Sequence, residues 1–298
     1  MTLHTSSSTK LKHPGHVIRR QFLAGTTAIL AVSCFVLLSL GVLTDLCKWQ
    51  DAALAASPAP SGVAEKKQTA NVLIVTGIDH PAHNWRQTAP VLAEALRKDT
   101  RLKVRLVEDP HFLDSSALHR YDVVVLHFMP WQKPTPGSKA RANLRKFVQG
   151  GKGLFILHFG CGAFQDWPEF RNLAGRVWDP KARAHDPGGP FRVNITDVIH
   201  PITQGLHPFE TEDELYTCLT GDRPVDMLAT ARSKVDGKVY PMAFAFNYGK
   251  GRVFHSPLGH DVKAIRNQGA AELFRRGCAW AAGLPPVPKT QKKTPGSK

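Results

Sequence analysis

The chain has 298 residues and a formal net charge of +15, with 39 Lys and Arg against 24 Asp and Glu. More than half of that surplus lies in the first 70 and the last ten residues, because residues 71–288 hold 28 basic and 21 acidic residues. No segment of 71–288 interleaves basic and aromatic residues as nucleic-acid modules do. The composition therefore argues against a nucleic-acid partner.

The first 51 residues are predicted to be an export signal or a membrane anchor. Residues 1–20 are basic and contain no acidic residue, and residues 22–43 form an apolar run without a charge. A basic flank before such a run is typical of a signal peptide or an N-terminal anchor. Residues 19–23 resemble a twin-arginine export motif, residues 53–55 resemble a cleavage site, and the run is long enough to span a membrane. Both interpretations place the domain outside the cytoplasm, in the periplasm or tethered to the membrane.

The remaining chain divides by composition. Residues 52–70 are rich in Ala, Pro, Ser and Lys, which predicts a linker. Residues 289–298 are rich in Lys, Pro and Thr, which predicts a basic disordered tail. Residues 71–288 are the predicted globular domain. Its cysteines are Cys161, Cys218 and Cys278, and no C-x-x-C spacing supports a cysteine-based zinc site.

The first half of the domain alternates strands and helices. Apolar runs predict strands at 72–75, 104–107, 122–126 and 154–157. Helical spacing of apolar residues follows Asn84 and recurs over 142–148. This alternation predicts an α/β fold with a mostly parallel, flavodoxin-like sheet and helices on both faces.

The second half is less regular. Residues 164–174 are predicted to form a short helix, and the alternating residues 191–196 are predicted to form an exposed edge strand. Residues 242–246 and 253–257 read as strands joined by a hairpin turn at 247–251. A last helix is expected to end near Gly283.

The stretch 150–164, GGKGLFILHFGCGAF, is the segment around which we expect the site to be built. Glycines bound its apolar run, and Gly160-Cys161-Gly162 requires a sharp turn after the strand. His158 and Cys161 would then lie at the carboxyl edge of the sheet, where α/β folds bind ligands. The alternative is a tight turn that carries only a small buried thiol.

Polar residues follow several of the predicted strands: Asp79, His80, His83 and Asn84 after the first, His127 after the third, His158 and Cys161 after the fourth, and His260 and Asp261 after the last. The carboxyl ends of parallel strands share one edge, so these side chains are expected to converge on a crevice. Imidazoles and carboxylates can hold a divalent metal or transfer protons, and the sequence does not choose between the two. Taken singly, each histidine is more often a surface or core residue.

Aromatic side chains could stack on sugar rings in such a crevice, although each could equally pack in the core. The candidates are Trp85, Trp131, Trp167, Trp178 and Tyr216.

Five segments together resemble the ThuA-like family, which is named for trehalose utilisation. They are residues 153–164 (GLFILHFGCGAF), 185–187 (HDP), 200–206 (HPITQGL), 213–216 (DELY) and 249–261 (GKGRVFHSPLGHD). The resemblance covers about residues 71–283. It implies a fold similar to that of class I glutamine amidotransferases and a role in disaccharide or keto-sugar metabolism.

The resemblance leads to the prediction of a protein that hydrolyses, eliminates from or isomerises a glycoside or keto-sugar. The catalytic candidates are His158, His260, Asp261, Asp213 and Glu214. The substrate-binding candidates are His80, Trp85, His127, Cys161, His185 and Tyr216. The partner is then a small carbohydrate, with membrane attachment through the N-terminal segment, and the sequence indicates no particular metal or oligomeric state.

Two alternatives stay open at this point: a non-catalytic sugar-binding module and a Cys-dependent amidase. The amidotransferase nucleophile is expected two residues after His158, at Gly160, so that Cys161 is displaced by one residue. No His-x-Glu pair late in the chain completes a triad, which makes the amidase the weaker alternative.

Overall fold

A computed structural model describes residues 67–130 and 134–287, all of which belong to one compact unit. Its strands are β1 (Ala70–Val75), β2 (Leu102–Val107), β3 (Val123–Leu126), β4 (Gly153–Leu157), β5 (Val177–Trp178), β6 (Gly189–Ile195), β7 (Phe209–Asp213), β8 (Leu219–Thr220), β9 (Asp226–Arg232), β10 (Val239–Tyr248) and β11 (Gly251–Ser256). Its α-helices are α1 (Trp85–Arg97), α2 (Ser138–Gln149), α3 (Pro168–Ala174), α4 (Val262–Arg266) and α5 (Gln268–Ala281). Short 3₁₀ helices occupy Pro110–Asp114, Ser116–Arg120 and His158–Gly162.

Nine strands form one sheet in the order β2-β1-β3-β4-β11-β10-β9-β6-β7. The first five strands in this order are parallel, and each later strand is antiparallel to its neighbour. Strands β5 and β8 pair separately. The α/β fold with a parallel central sheet is confirmed. The less regular second half of the chain forms the antiparallel strands β10, β9, β6 and β7 at one side of this sheet.

Helices cover both faces of the sheet, and the central strands β3 and β4 are apolar along their whole length, as buried parallel strands are. Along β1, Val72 and Ile74 join one buried cluster with α1, α4 and α5. Leu73 and Val75 point to the other face and join a second cluster with α2 and α3. The two buried clusters hold the strands in place from both faces. The polar loops begin at the carboxyl ends of β1, β3, β4 and β11.

The second half differs from the prediction at residues 191–196. The segment 191–196 is not an edge strand, because β6 pairs with β7 on one side and with β9 on the other. Its alternating pattern reflects one solvent-facing side of the sheet, which an interior antiparallel strand shows equally well. The acidic segment 210–214 largely forms β7, in which Glu210 and Glu212 are exposed while Asp213 is buried.

The hairpin prediction is confirmed. Strand β10 ends at Tyr248 and β11 begins at Gly251, which leaves a two-residue connection. Gly249 adopts a φ of +60°, a backbone conformation that glycine takes without strain. The last helix, α5, ends at Ala281, close to the expected end at Gly283.

The predicted leader (1–51), most of the predicted linker (52–70) and the tail (289–298) lie outside the described residues. Of the helices within 67–130 and 134–287, none combines the length and apolar character that a membrane crossing requires. The end of the predicted linker belongs to the fold, because Ala70 pairs with Leu102 in the sheet and Lys67 lies 2.8 Å from Asp122.

Candidate functional site

His158 follows β4 directly and is held in an unusual conformation. Its φ is +46°, the only positive φ of a non-glycine residue in the described part of the chain. Such a backbone is costly for a residue with a Cβ, and it is found disproportionately at functional sites. Gly160 lets this turn form, because a Cβ there would lie 2.3 Å from the carbonyl oxygen of Leu126. The strained position after the strand is therefore His158, the residue directly after β4.

Both nitrogens of the buried His158 ring have partners. Nδ1 lies 2.7 Å from the carbonyl oxygen of Pro257, which can only accept, so Nδ1 carries the proton. The Tyr216 hydroxyl lies 2.9 Å from Nε2. Nε2 faces the polar cluster, where it can accept from Tyr216 in the neutral ring or donate to Glu214 in the protonated ring.

The carboxylate of Glu214 is the centre of that cluster. Its Oε2 atom lies 3.4 Å from Nε2 of His158 and 3.1 Å from Nδ1 of His260. Its Oε1 atom lies 3.5 Å from Nε2 of His185. Burial alone would raise the pKa of Glu214, but the imidazoles of His158 and His260 hold it well below its usual value. In return, the Glu214 carboxylate raises the pKa of His260. Glu214 is thus ionised and shared among three histidines.

Asp213, the residue before Glu214, holds the loop after β11. Its Oδ2 accepts a hydrogen bond from the backbone N–H of Gly259 at 2.7 Å. Its Oδ1 accepts from the N–H groups of Glu214 at 2.8 Å and His260 at 3.1 Å. Burial raises the pKa of Asp213, with these donors acting in the opposite direction. Asp213 therefore positions Glu214 and His260, and it is not an open catalytic carboxylate as the sequence suggested.

His83 completes the cluster, although the sequence suggested no role for it beyond its place after β1. Its ring stacks on Phe159 at 4.4 Å between centroids and lies 5.0 Å from His158 and 5.2 Å from His260. Burial, followed by the charge on His158, lowers the pKa of His83 to about 2, so this ring is neutral. One ligand nitrogen each of His83, His158 and His260 lies within 4.8 Å of the others.

A cavity of about 400 Å³ opens in front of this cluster. Its described lining consists of His80, Ala82, His83, Met129, Pro130, Gln165, Trp178, Pro180, His185, Glu214 and Tyr216. His158 and His260 do not line the cavity and lie behind Glu214 and Tyr216. Nδ1 of His185 lies 2.7 Å from the carbonyl oxygen of Asp186 and donates to it, which leaves Nε2 for Glu214.

Two predicted substrate-binding residues are instead enclosed in the core. The ring of His127 is fully buried, with Nδ1 3.2 Å from the Thr76 hydroxyl and Nε2 3.3 Å from the Thr88 hydroxyl. Burial lowers the pKa of His127 to about 3, so it is a neutral core histidine. Cys161 is also fully buried, and burial raises the pKa of its thiol well above the usual value. A thiolate at Cys161 is thus disfavoured, which argues against the amidase alternative.

Trp85 and Asp261 have structural roles away from the cavity. Trp85 begins α1, is 5% exposed, and donates from Nε1 to Asp79 at 2.8 Å. Asp261 caps α4 by accepting from the N–H of Ala264 at 2.8 Å, and its side chain is exposed. The predictions of sugar stacking by Trp85 and of catalysis by Asp261 therefore find no support in their contacts.

The other aromatic candidates separate into two groups. Trp178 and Tyr216 form part of the cavity wall, with ring centroids 5.3 Å apart. Trp167 packs on Phe164 and Phe170 instead and lines a neighbouring recess. Trp131 lies outside the described residues.

Comparisons with known proteins agree with this architecture. A family model described as ThuA, trehalose utilisation, matches residues 71–281. No curated protein matches the chain. The crystal structure of a ThuA-like protein from Parabacteroides merdae ATCC 43184 is similar with a TM-score of 0.65 and 26% identity, covering 75% of this chain and 92% of that one.

Two further solved structures show the fold alone, because their identities are low. A ThuA-like protein from Bacteroides uniformis ATCC 8492 has a TM-score of 0.58 and 17% identity, covering 76% of this chain and 98% of that one. A cytoplasmic protein from Salmonella typhimurium LT2 has a TM-score of 0.51 and 14% identity, covering 71% and 99%. Since the family model spans well over half of its residues, the chain belongs to the ThuA family, described by its role in trehalose utilisation.

Proposed function

We propose that the protein is an enzyme that moves a proton next to the carbonyl group of a keto-sugar, leading to isomerisation or to elimination of the glycosidic group. The observation that carries this proposal is the ionised Glu214 on the cavity wall, in contact with His185 and backed by His158 and His260. The family description, trehalose utilisation, supports a carbohydrate as the substrate.

The number of carboxylates at the cavity favours this chemistry over ordinary glycoside hydrolysis. Glycosidases of the usual kind place two carboxyl groups about 5–9.5 Å apart on either side of the scissile bond. Among the described residues that line the cavity, Glu214 is the only carboxylate. The neighbouring Asp213 is occupied by three backbone donors. One carboxylate with imidazole partners suits proton abstraction beside a carbonyl, in which base and acid act on neighbouring atoms.

Each group then has a defined task. Glu214 accepts the proton from the carbon beside the carbonyl, and His185 at 3.5 Å is placed to pass a proton to or from the sugar. Burial raises the pKa of the Tyr216 hydroxyl well above its usual value, so Tyr216 stays protonated as a hydrogen-bond donor. Trp178 offers an aromatic surface to a sugar ring.

The proposal is tested by incubating the protein in heavy water with 3-keto-glycosides and, separately, with the matching unoxidised glycosides, and by measuring product formation and deuterium uptake. We expect deuterium to enter the carbon next to the carbonyl and product to form from the keto-sugars. Binding of sugars with neither exchange nor product would support the sugar-binding module instead. Product from unoxidised glycosides alone would support a hydrolase.

We further propose that the domain works outside the cytoplasm, in the periplasm or tethered to the membrane. The support comes from the basic segment 1–20 followed by the uncharged apolar run 22–43. Fractionation of cells that express the full chain tests this proposal. Recovery of the chain in the cytoplasmic fraction alone would contradict it.

A further inference from the structure

Three imidazoles, those of His83, His158 and His260, converge beside the cavity, and two of them hold a buried nitrogen without a hydrogen-bond partner among the described residues. The side chain of His83 is buried, with a relative exposure of 7%, and its Nδ1 atom has no hydrogen-bond partner among the described residues. The Nδ1 atom of His260 is also enclosed, although its side chain is 26% exposed; Glu214 lies 3.1 Å away as an ion-pair partner, outside hydrogen-bond geometry. Buried polar atoms are normally paired, so two such nitrogens side by side indicate a missing partner.

The third imidazole has its orientation fixed from behind. Nδ1 of His158 donates to the carbonyl oxygen of Pro257 at 2.7 Å, which directs Nε2 towards His83 and His260. A histidine whose outer nitrogen donates to a backbone carbonyl is the usual arrangement of a metal ligand. The strained φ of +46° at His158 shows that the fold maintains this position at a cost.

We propose that His83, His158 and His260 bind one divalent transition-metal ion of the Zn²⁺ type next to the cavity, with Glu214 supplying negative charge against it. Imidazole ligands favour zinc and its neighbours over Mg²⁺ or Ca²⁺, which prefer oxygen. Tetrahedral zinc with bonds of about 2.0 Å keeps its ligand atoms about 3.3 Å apart. The present separations, within 4.8 Å, require the rings to move together by about an ångström on binding.

Tyr216 competes with the ion for one lone pair. Its hydroxyl lies 2.9 Å from Nε2 of His158, and a metal ion bound at Nε2 displaces that contact. Removal of the hydroxyl should consequently leave metal affinity unchanged or increase it. The side of the ion that faces the cavity stays open to a sugar oxygen, because His83 and Glu214 both line the cavity. The access of a sugar oxygen to the ion rests on the proposed function, whereas metal binding itself is tested without substrate.

The test is calorimetric titration of the untagged, chelator-treated full chain with Zn²⁺, and the absorption spectrum of the Co²⁺-loaded chain. We expect one ion per chain and a Co²⁺ spectrum typical of nitrogen ligation. His83→Ala and His260→Ala should weaken binding by at least about 100-fold. His119→Ala, at an exposed histidine on the 3₁₀ helix Ser116–Arg120, is the matched control and should bind as the original chain does.

Two further variants, His83→Gln and Tyr216→Phe, separate the loss of a metal ligand from the loss of folding. His83→Gln retains most of the side-chain volume, and circular dichroism establishes whether each variant is folded. Tyr216→Phe should bind Zn²⁺ at least as tightly as the original chain. The proposal is overturned if the original chain takes up no stoichiometric ion. It is equally overturned if folded His83→Gln binds Zn²⁺ unchanged, since the ion would then be held by surface residues.

Discussion

The imidazole rings of His158 and His260 lie with their centroids 5.3 Å apart, although they follow different strands. Strands β4 and β11 are parallel neighbours, and Leu157 is paired with Ser256. The segments that follow the two strands therefore leave the sheet at the same edge. The expected approach of the two histidines is thus confirmed. Their catalytic role stays a prediction, and the experiments below test it through the residues that contact them.

Glu214→Gln should abolish most activity, because the amide neither accepts a proton nor balances the charge of the surrounding imidazoles. We expect kcat/KM on the active keto-sugar to fall by at least about 100-fold. The matched control is Glu212→Gln, which removes the same charge two residues earlier on β7, where the side chain is exposed and pairs with Lys263. Equal losses in both variants would contradict a specific role for Glu214.

Asp213→Asn should impair both stability and activity, because an amide NH₂ would replace one oxygen that accepts from backbone N–H groups. A buried carboxylate acceptor lost in this way costs about 2 kcal/mol in the free energy of unfolding. Chemical denaturation measures this change, and steady-state kinetics measures the fall in kcat that follows from a displaced Glu214. An unchanged unfolding free energy together with a collapse of kcat would show that Asp213 takes part in the chemistry directly.

Cys161→Ala should leave most activity intact, since the thiol is fully buried and its pKa is raised by burial. We expect kcat/KM within about threefold of the original value, because a thiol of this kind is inert. Treatment with iodoacetamide should likewise leave the native protein active. A loss beyond about 100-fold in a folded Cys161→Ala variant would restore the nucleophile hypothesis.

Stability should fall in acid partly through Asp99. Burial alone would raise the pKa of Asp99, but the side chain and backbone N–H of Arg101 hold it below the usual 3.8. A depressed folded pKa means that the stabilisation is complete at neutral pH, begins to fade near pH 3.8, and is lost below the folded pKa.

Denaturation of the original chain and of Asp99→Asn at several pH values measures this effect. We expect a difference in unfolding free energy of about 2 kcal/mol at pH 7, shrinking as the pH falls below 3.8. Asp166→Asn is the control, since Asp166 pairs with Arg141 at an exposed site and should cost less than about 1 kcal/mol. A difference that is independent of pH would contradict the assignment to this carboxylate.

Removal of the first 69 residues should leave a soluble, folded domain. The deletion takes away Lys67, whose ion pair with Asp122 is partly exposed and contributes less than about 1 kcal/mol. Strand β1 begins at Ala70, so the core remains complete. Circular dichroism and thermal denaturation of chains beginning at residue 62 and at residue 70 measure the difference. Insolubility of the shorter chain alone would show that residues 62–69 belong to the folding unit.

The sequence determined the central parallel strands and the location of the site. Continuous apolar runs such as 72–75 and 154–157 can only be buried on both faces, which requires a covered parallel sheet. Parallel strands then bring their carboxyl ends to one edge, so His158 and His260 had to lie near one another. The motif around Glu214 and Tyr216 was one of the five segments that carried the family resemblance. The antiparallel strand β9 gave no comparable signal, because its half-buried alternation is weaker than a continuous run.

Only the tertiary structure decided which polar side chains reach the cavity. Asp213 and Glu214 are adjacent in sequence and chemically alike, yet one is held by backbone donors and the other lies among imidazoles. His127 and His158 both follow buried strands, but Thr76 and Thr88 enclose the ring of His127. At the end of a strand, a shift of one residue or a change of φ reverses the direction of a side chain. That direction depends on the neighbouring loops, which come from distant parts of the chain, and no local pattern in the sequence records it.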